Sequence, residues 1–334
     1  MQAVTPLFLK SGAPDCPVCG SSCGDPPMFR YSPERAAAHF CPPARNPDRF
    51  ARLSDCVRRL WRGKDCCIYR CAVCTFAFAS PFVGGDEEFY DILHEQQGYP
   101  AWRWDYDVAI ATAAQPGRGG RIIDIGAGTG VFLEALDDRW EKYATEGGES
   151  TRRQLQDKGI RVYRDLTQLV AEHAGTFQVV TMFQLLEHVA EFRALLAQCR
   201  ALLRPCGKLI ITVPHGEAVL RQEQLTGCPD MPPFHVNKWT PASLSQALAQ
   251  TGFSNDAPIL APFEWGNIPA SLHLRIIADA SQPGSVASQV YRIKQKAVRA
   301  PLLAALGVPA LVRLLPNIGK LCKAGAFAMV ASPA

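Results

Sequence analysis

The stretch "RIIDIGAGTGVFLEAL", residues 121–136, constrains the fold more than any other part of this chain. Arg121-Ile122-Ile123-Asp124-Ile125 is apolar and β-branched, as a parallel strand buried on both faces must be. Val131, Phe132, Leu133, Ala135 and Leu136 then fit the inner face of a helix. Between them Gly126, Gly128 and Gly130 are spaced G-x-G-x-G. A dinucleotide fingerprint would carry its third glycine one residue later, where this chain has Val131. A strand therefore enters a helix through a turn that lets a ligand approach the backbone, in an α/β sheet covered on both sides.

The rest of the chain supports that class. Apolar runs at Ile122–Ile125, Tyr143–Thr145, Arg161–Tyr163, Phe177–Met182 and Leu209–Val213 alternate with helix-period segments near 130–139, 150–158, 167–173 and 190–203. Thr240 and Pro241 read as the cap and first residue of a helix that stops before Gly252. The division expected is a Cys-rich module over 1–80, an aromatic linker or lid over 81–118, a ligand-binding domain over 119–280, and a C-terminal extension over 281–334 with a last strand at 325–331. A formal charge of +4 on 334 residues argues against nucleic acid as the default partner. No apolar stretch reads as a signal peptide or a membrane span, so the expected location is cytoplasmic.

Nine of the 13 cysteines lie within the first 74 residues. Cys16, Cys19, Cys71 and Cys74 form two C-x₂-C knuckles whose thiolates suit tetrahedral, structural zinc, although 51 residues separate the pairs. Cys23, His39, Cys41, Cys56, Cys66 and Cys67 are left over, with mixed spacing.

Downstream, Glu146 follows the second strand, where a carboxylate can hold a ribose diol. "LLEHV" (185–189) follows the fourth strand, and "LRPCGKLIITVP" (203–214) is the fifth. In this order, with "DIGAGTG", these runs resemble the class I S-adenosylmethionine (SAM) dependent methyltransferases over roughly 85–265. "YRCAVCTFAFASP" resembles the second knuckle of the N-terminal zinc module of sugar C-methyltransferases. The resemblance implies a Rossmann-like, doubly wound, seven-stranded sheet with a small zinc-binding domain in front. It implies a SAM site in which Asp124 faces the amino group, Gly126, Ala127, Gly128 and Gly130 form the close turn, and Glu146 holds the ribose. Asp165 and Leu166 would flank the adenine, and Gln184 would face the methionine portion.

Methyl transfer needs alignment and sometimes a base. His188, His215 and His235, with Glu187, fall near the carboxyl edge of the expected sheet. By resemblance His235 takes the position of the sugar C-methyltransferase base, but Pro232, Pro233 and Phe234 stand where that family has its supporting residues. "MPPF" at 231–234 arrives after the fifth strand, so it is not the motif of amino-group methyltransferases. The expected reaction is methylation of carbon or oxygen on a small-molecule acceptor of a biosynthetic pathway, such as a nucleotide sugar or natural-product intermediate. An RNA methyltransferase using the arginine-rich insert, or a SAM-binding scaffold without catalysis, are the alternatives. The stretch "YPAWRWDYD" can serve as a lid that shields a sulfonium, but Trp102 and Trp104 are expected rather to pack on the sheet. The leucines of the basic, apolar tail can rest on a membrane surface, make an oligomer contact or pack on the sheet, and packing is the reading favoured.

Overall fold

The structure is a computed structural model and describes residues 13–95, 102–112, 117–262, 267–282, 284–317, 319 and 324–334. Tyr99, Pro100 and Ala101 of the aromatic stretch lie outside the described residues. The strands, in chain order, are β1 (Phe29–Tyr31), β2 (Cys66–Arg70), β3 (Ala77–Ser80), β4 (Gly120–Ile125), β5 (Trp140–Thr145) and β6 (Arg161–Tyr163). Then come β7 (Phe177–Phe183), β8 (Leu203–Pro214), β9 (Asn237–Lys238), β10 (Phe253–Asn255), β11 (Ile259–Leu260) and β12 (Ala326–Pro333).

The main sheet runs β10-β12-β8-β7-β4-β5-β6, with the two-residue β11 also pairing with β12. The pairings from β8 through β7, β4 and β5 to β6 are parallel, and β12 enters antiparallel to β8. This is the doubly wound order expected from the apolar runs, with the last strand returning to the sheet. Ile122, Ile123 and Ile125 are buried, which explains why β4 shows no polar alternation. From β4 the chain winds outward through β5 and β6, then crosses to β7 and β8 on the other side. The carboxyl ends of β4 and β7 therefore bracket the point where the winding reverses, the usual ligand crevice of such sheets. The helix after the glycine turn is shorter than expected, Val131–Glu134, because Leu136 is followed by Asp137 and Asp138 in a turn before β5.

A second, antiparallel sheet has the order β1-β2-β3-β9. Its last strand comes from far along the chain: Ala77 pairs with Lys238 and Phe78 with Asn237. The residues between the two cysteine knuckles supply β1, β2 and two helices, Pro33–Phe40 and Pro47–Leu60, capped by Ser32 and Asn46. Buried Arg49 donates to the carbonyls of Ile92 and Leu93, 2.9 Å each, closing the end of helix Glu87–His94. The knuckles lie against the main domain. Phe76 packs on Trp239 with ring centroids 4.5 Å apart, and Arg193 donates to the carbonyls of Pro17 and Val18.

The tail departs from expectation. Helix Lys296–Leu314 sits against helices Asn267–Ala280 and Val286–Tyr291, with Leu303 and Leu306 on Ile276, Ala280, Ala287 and Tyr291, and not on the sheet. Helix formation keeps the backbone satisfied, while Pro301 and Pro309 limit how closely that helix can nest. It is long and apolar enough to cross a membrane by length and composition, with mean hydropathy 1.6.

Candidate active site

Above the switch point lies a cleft of about 570 Å³. Its floor is the glycine turn from Gly126 to Thr129 with Asp124 beneath it; one wall is Phe183, Gln184, Glu187 and His188 after β7. Arg103, Trp104 and Tyr106 form the opposite rim, and Phe234 and His235 close the top.

The turn is built by backbone geometry. Gly126 and Gly128 have φ +73° and +54°, which side chains with a Cβ adopt at a cost. A Cβ on Gly126 would come within 3.1 Å of Leu185. The Gly128 N–H donates to Glu146 Oε2 at 2.9 Å, and Gly148 N–H donates to Oε1 at 3.2 Å. Glu146 thus stands at the end of β5, braced beside the turn. Thr181, in register across β7, donates its hydroxyl to Asp124 Oδ1 at 2.8 Å. Burial pushes the Asp124 carboxyl up to about 8, against the pull of Thr181 and Arg103. A cationic ligand group placed there would find an acid with no close counter-ion.

Arg103 and Asp105 were not legible as site residues. Arg103 Nε donates to Asp105 Oδ1 at 3.1 Å and the pair is closed by a second contact to Oδ2. Asp105, fully buried, accepts from Thr212 Oγ1 at 2.7 Å. This ties helix Trp104–Thr112 to the end of β8 and leaves Arg103 on the cleft rim. Trp102 and Trp104 do not pack on the sheet: Trp102 is 46% exposed and Trp104 lines the cleft. Tyr106 takes the packing role, against Phe132 and Phe183.

Gln184 holds φ +50°, with its N–H on the Thr212 carbonyl at 2.9 Å. That bend turns the chain from β7 into the short 3₁₀ helix Leu186–His188 and aims Glu187 inward. Glu187 is 1% exposed; burial pushes it up to about 7, partly opposed by His235, and its Oε2 has no hydrogen-bond partner. Its Oε1 lies 3.9 Å from His188 Nε2 and 4.0 Å from His235 Nε2. The His188 ring is held through Nδ1 by the Phe234 carbonyl at 2.7 Å, and burial with the neighbouring His235 drives it down to about 3.

His235 is held differently. Its Nδ1 lies 2.5 Å from Asp230 Oδ1, and Lys238 Nζ donates to the other oxygen of Asp230 at 3.1 Å. Burial disfavours the imidazolium, but the charge and hydrogen bond of Asp230 outweigh it, so the His235 pKa is raised. Asp230 is also buried, yet His235 and Lys238 hold it well below the usual carboxylate range. An Asp-His pair in the lining of a cleft can take up a proton and stabilise the resulting charge. Asp230 and Lys238 were missed because one lies in an aperiodic loop and the other in the two-residue β9, too short to show a period.

The remaining predicted residues fall outside the cleft lining. His215 meets Phe327 edge to face, and burial lowers its pKa. Asp165 caps helix Leu166–His173, accepting from Thr167 N–H at 2.8 Å, and Leu166 is buried beside it.

At the other site Cys16 Sγ is 3.5 Å from Cys74 Sγ, and Cys19 Sγ is 3.5 Å from Cys71 Sγ. All four sulfurs lie within 4.8 Å of one another. A tetrahedron with Zn–S bonds of about 2.3 Å has edges of about 3.8 Å, so the donor set fits. Both knuckles close alike: Gly20 N–H bonds to Cys16 O and Thr75 N–H to Cys71 O, with Gly20 and Thr75 at positive φ. Of the leftover thiols, Cys23 lies beside Cys71 of the tetrad, and the others are spread apart. Cys41 donates to the Asn46 carbonyl, Cys56 lies by Arg59 and Asp86, and His39 approaches Cys228 at 3.8 Å.

Residues 101–257 match the family model described as "Methyltransferase domain". The ubiquinone biosynthesis O-methyltransferase of Xanthomonas axonopodis pv. citri is 33% identical over 102 residues, 28% of this chain and 43% of that protein. The protein of the same name from Pseudomonas aeruginosa strain LESB58 is 31% identical over 102 residues, 28% of this chain and 44% of its own length. The match thus spans less than half of these curated relatives. A putative methyltransferase from an antibiotic biosynthesis pathway of Anabaena variabilis has a solved structure with TM-score 0.47 and 15% identity, covering 69% of this chain and 96% of that one.

Proposed function

We propose that the chain is a class I SAM-dependent methyltransferase, as the methyltransferase-domain match over residues 101–257 supports, and that it methylates an oxygen or carbon of a small-molecule biosynthetic acceptor with His235 as the base. One observation carries the proposal: His235 lines the same cleft as the glycine turn, with its imidazole anchored through Nδ1 by Asp230 and its Nε2 4.0 Å from Glu187 Oε1. The names of the curated relatives favour oxygen, so a hydroxyl acceptor is the first to try. SAM supplies a methyl group activated by its sulfonium. Asp124 would take the amino group, the Gly126–Gly128 backbone would admit the methionine portion, and Glu146 would hold the ribose diol. His235 Nε2 would accept the acceptor proton while Asp230 stabilises the imidazolium and Lys238 keeps Asp230 in place. The tetrad Cys16, Cys19, Cys71 and Cys74 would hold one structural zinc, a closed site with no position for chemistry. The described cysteines are free thiols, which suits the reducing cytoplasm proposed as the location.

The arginine-rich insert gives the RNA reading little support. Arg30, Arg52, Arg58 and Arg59 face carboxylates, and Arg49 is buried.

Two measurements test the SAM site. Gly128→Val, which forces a branched side chain onto φ +54°, is expected to abolish SAM binding in calorimetry. Unchanged affinity would defeat the assignment. Binding a cation beside Asp124 lowers its pKa from about 8, so affinity should rise as pH climbs toward that value, with proton release near neutrality. Equal binding heats in buffers of different ionisation enthalpy would show that Asp124 does not ionise on binding.

A further inference from the structure

From Ala280 to Ala334 the chain has seven Lys and Arg and no Asp or Glu, more positive charge than the formal +4 of the whole. Within this segment helix Lys296–Leu314 has apolar residues on two opposite faces. One face is held by the protein, with Leu303 and Leu306 on the neighbouring helices and Ala310 and Leu314 buried. The other is exposed: Leu302 at 41%, Val308 at 64% and Val312 at 63%, with Ala305 between them. These positions recur at helical spacing and form one continuous stripe, unlike the scattered apolar residues of an ordinary surface.

The charges indicate what covers it. Arg292, Lys294 and Lys296 are exposed at the amino end of the helix, and Arg313 is exposed near the other. Cations at a helix amino terminus oppose the macrodipole, so helix stability does not explain them. An apolar stripe between basic ends, with no acid in reach along the segment, complements a surface that is anionic outside and hydrocarbon within. Because the inner face is packed on protein, the helix would lie along such a surface and not cross it. We propose that helix Lys296–Leu314 docks the protein in the plane of an anionic phospholipid bilayer, with Leu302, Val308 and Val312 at the acyl boundary.

The test is co-sedimentation of the full-length protein with phosphatidylcholine vesicles, with and without roughly 30% phosphatidylglycerol, at about 0.15 M salt. The parent protein should partition to the anionic vesicles and little to the neutral ones. Lys294→Glu with Lys296→Glu should weaken that partition at least about tenfold, and the difference should shrink at high salt. Leu302→Glu with Val308→Glu and Val312→Glu should abolish it while SAM affinity, measured by calorimetry, is unchanged. Those three side chains are exposed, so the triple variant should fold. Absence of vesicle binding, or equal binding by the parent and the triple variant, would overturn the proposal. So would a dimer in light scattering that the triple variant loses without any vesicle association, since the stripe would then join two copies of this chain.

Discussion

Replacing His235 with alanine is expected to lower the turnover rate roughly 10²–10⁴-fold while SAM affinity stays near that of the parent enzyme. The expectation rests on position and protonation together. His235 lies over the glycine turn, not within it, so its side chain can be removed without disturbing Asp124 or Glu146. To accept a proton it must first be neutral. Burial lowers its pKa and Asp230 raises it further, so turnover should climb as pH rises through that raised value. Asp230→Asn removes the raising charge: the acid limb of kcat/KM should move to lower pH while the maximal rate falls, because the imidazolium formed in the reaction loses its partner. The same pair links to stability. A raised His235 pKa contributes stability fully below the unfolded value of about 6.5 and loses it as pH rises through the folded one, so the enzyme should work best as that contribution fades. If His235→Ala loses only acceptor affinity, His235 holds the substrate. If it loses nothing, alignment alone drives transfer.

The parts of this molecule that repeat a period were readable before any coordinates, and the parts built from single contacts were not. β4, the glycine turn and the helix after it announce themselves through a six-residue strand with four buried residues and a helical stripe. The same alternation marks the parallel strands of the main sheet and its doubly wound class, though not their order, and the apolar run "FAMVAS" marks the last strand, which pairs antiparallel with β8. The cysteine pairs were legible because metal ligation imposes spacing. By contrast, β9 is two residues long and pairs with a strand about 160 positions earlier, which no local pattern encodes. Asp230 and Lys238 bracket His235 at offsets set by a proline-containing loop. Arg103 and Asp105 depend on Thr212 of β8 to become a unit. The tail helix looked like a packing element because its composition is apolar on all sides, and composition cannot say which side faces protein.

Removing the metal from the cysteine tetrad is expected to disable catalysis while leaving the SAM site largely intact. Structural zinc contributes about 10–16 kcal/mol in isolated zinc-finger peptides, more than most single domains have to lose. The second knuckle holds the end of β2 and the start of β3, since Cys71 and Cys74 lie in the turn joining them. β3 in turn holds β9, and β9 carries Lys238, whose amine grips Asp230 behind His235. The same connection is reinforced by Phe76 on Trp239 and by the hydroxyl pair Thr75–Thr240 at 2.7 Å. The residues proposed to hold SAM, by contrast, stand at the ends of β4, β5 and β7, which share no hydrogen-bonded strand with this sheet. Cys71→Ser should therefore reduce zinc from one per chain to near zero and lower turnover at least as far as His235→Ala, with SAM affinity within a few-fold of the parent. Calorimetry on the chelated protein separates this from global unfolding, because an unfolded main domain would bind no SAM. Full activity at zero zinc would mean that packing of Phe76 and Trp239 alone keeps β9 in register.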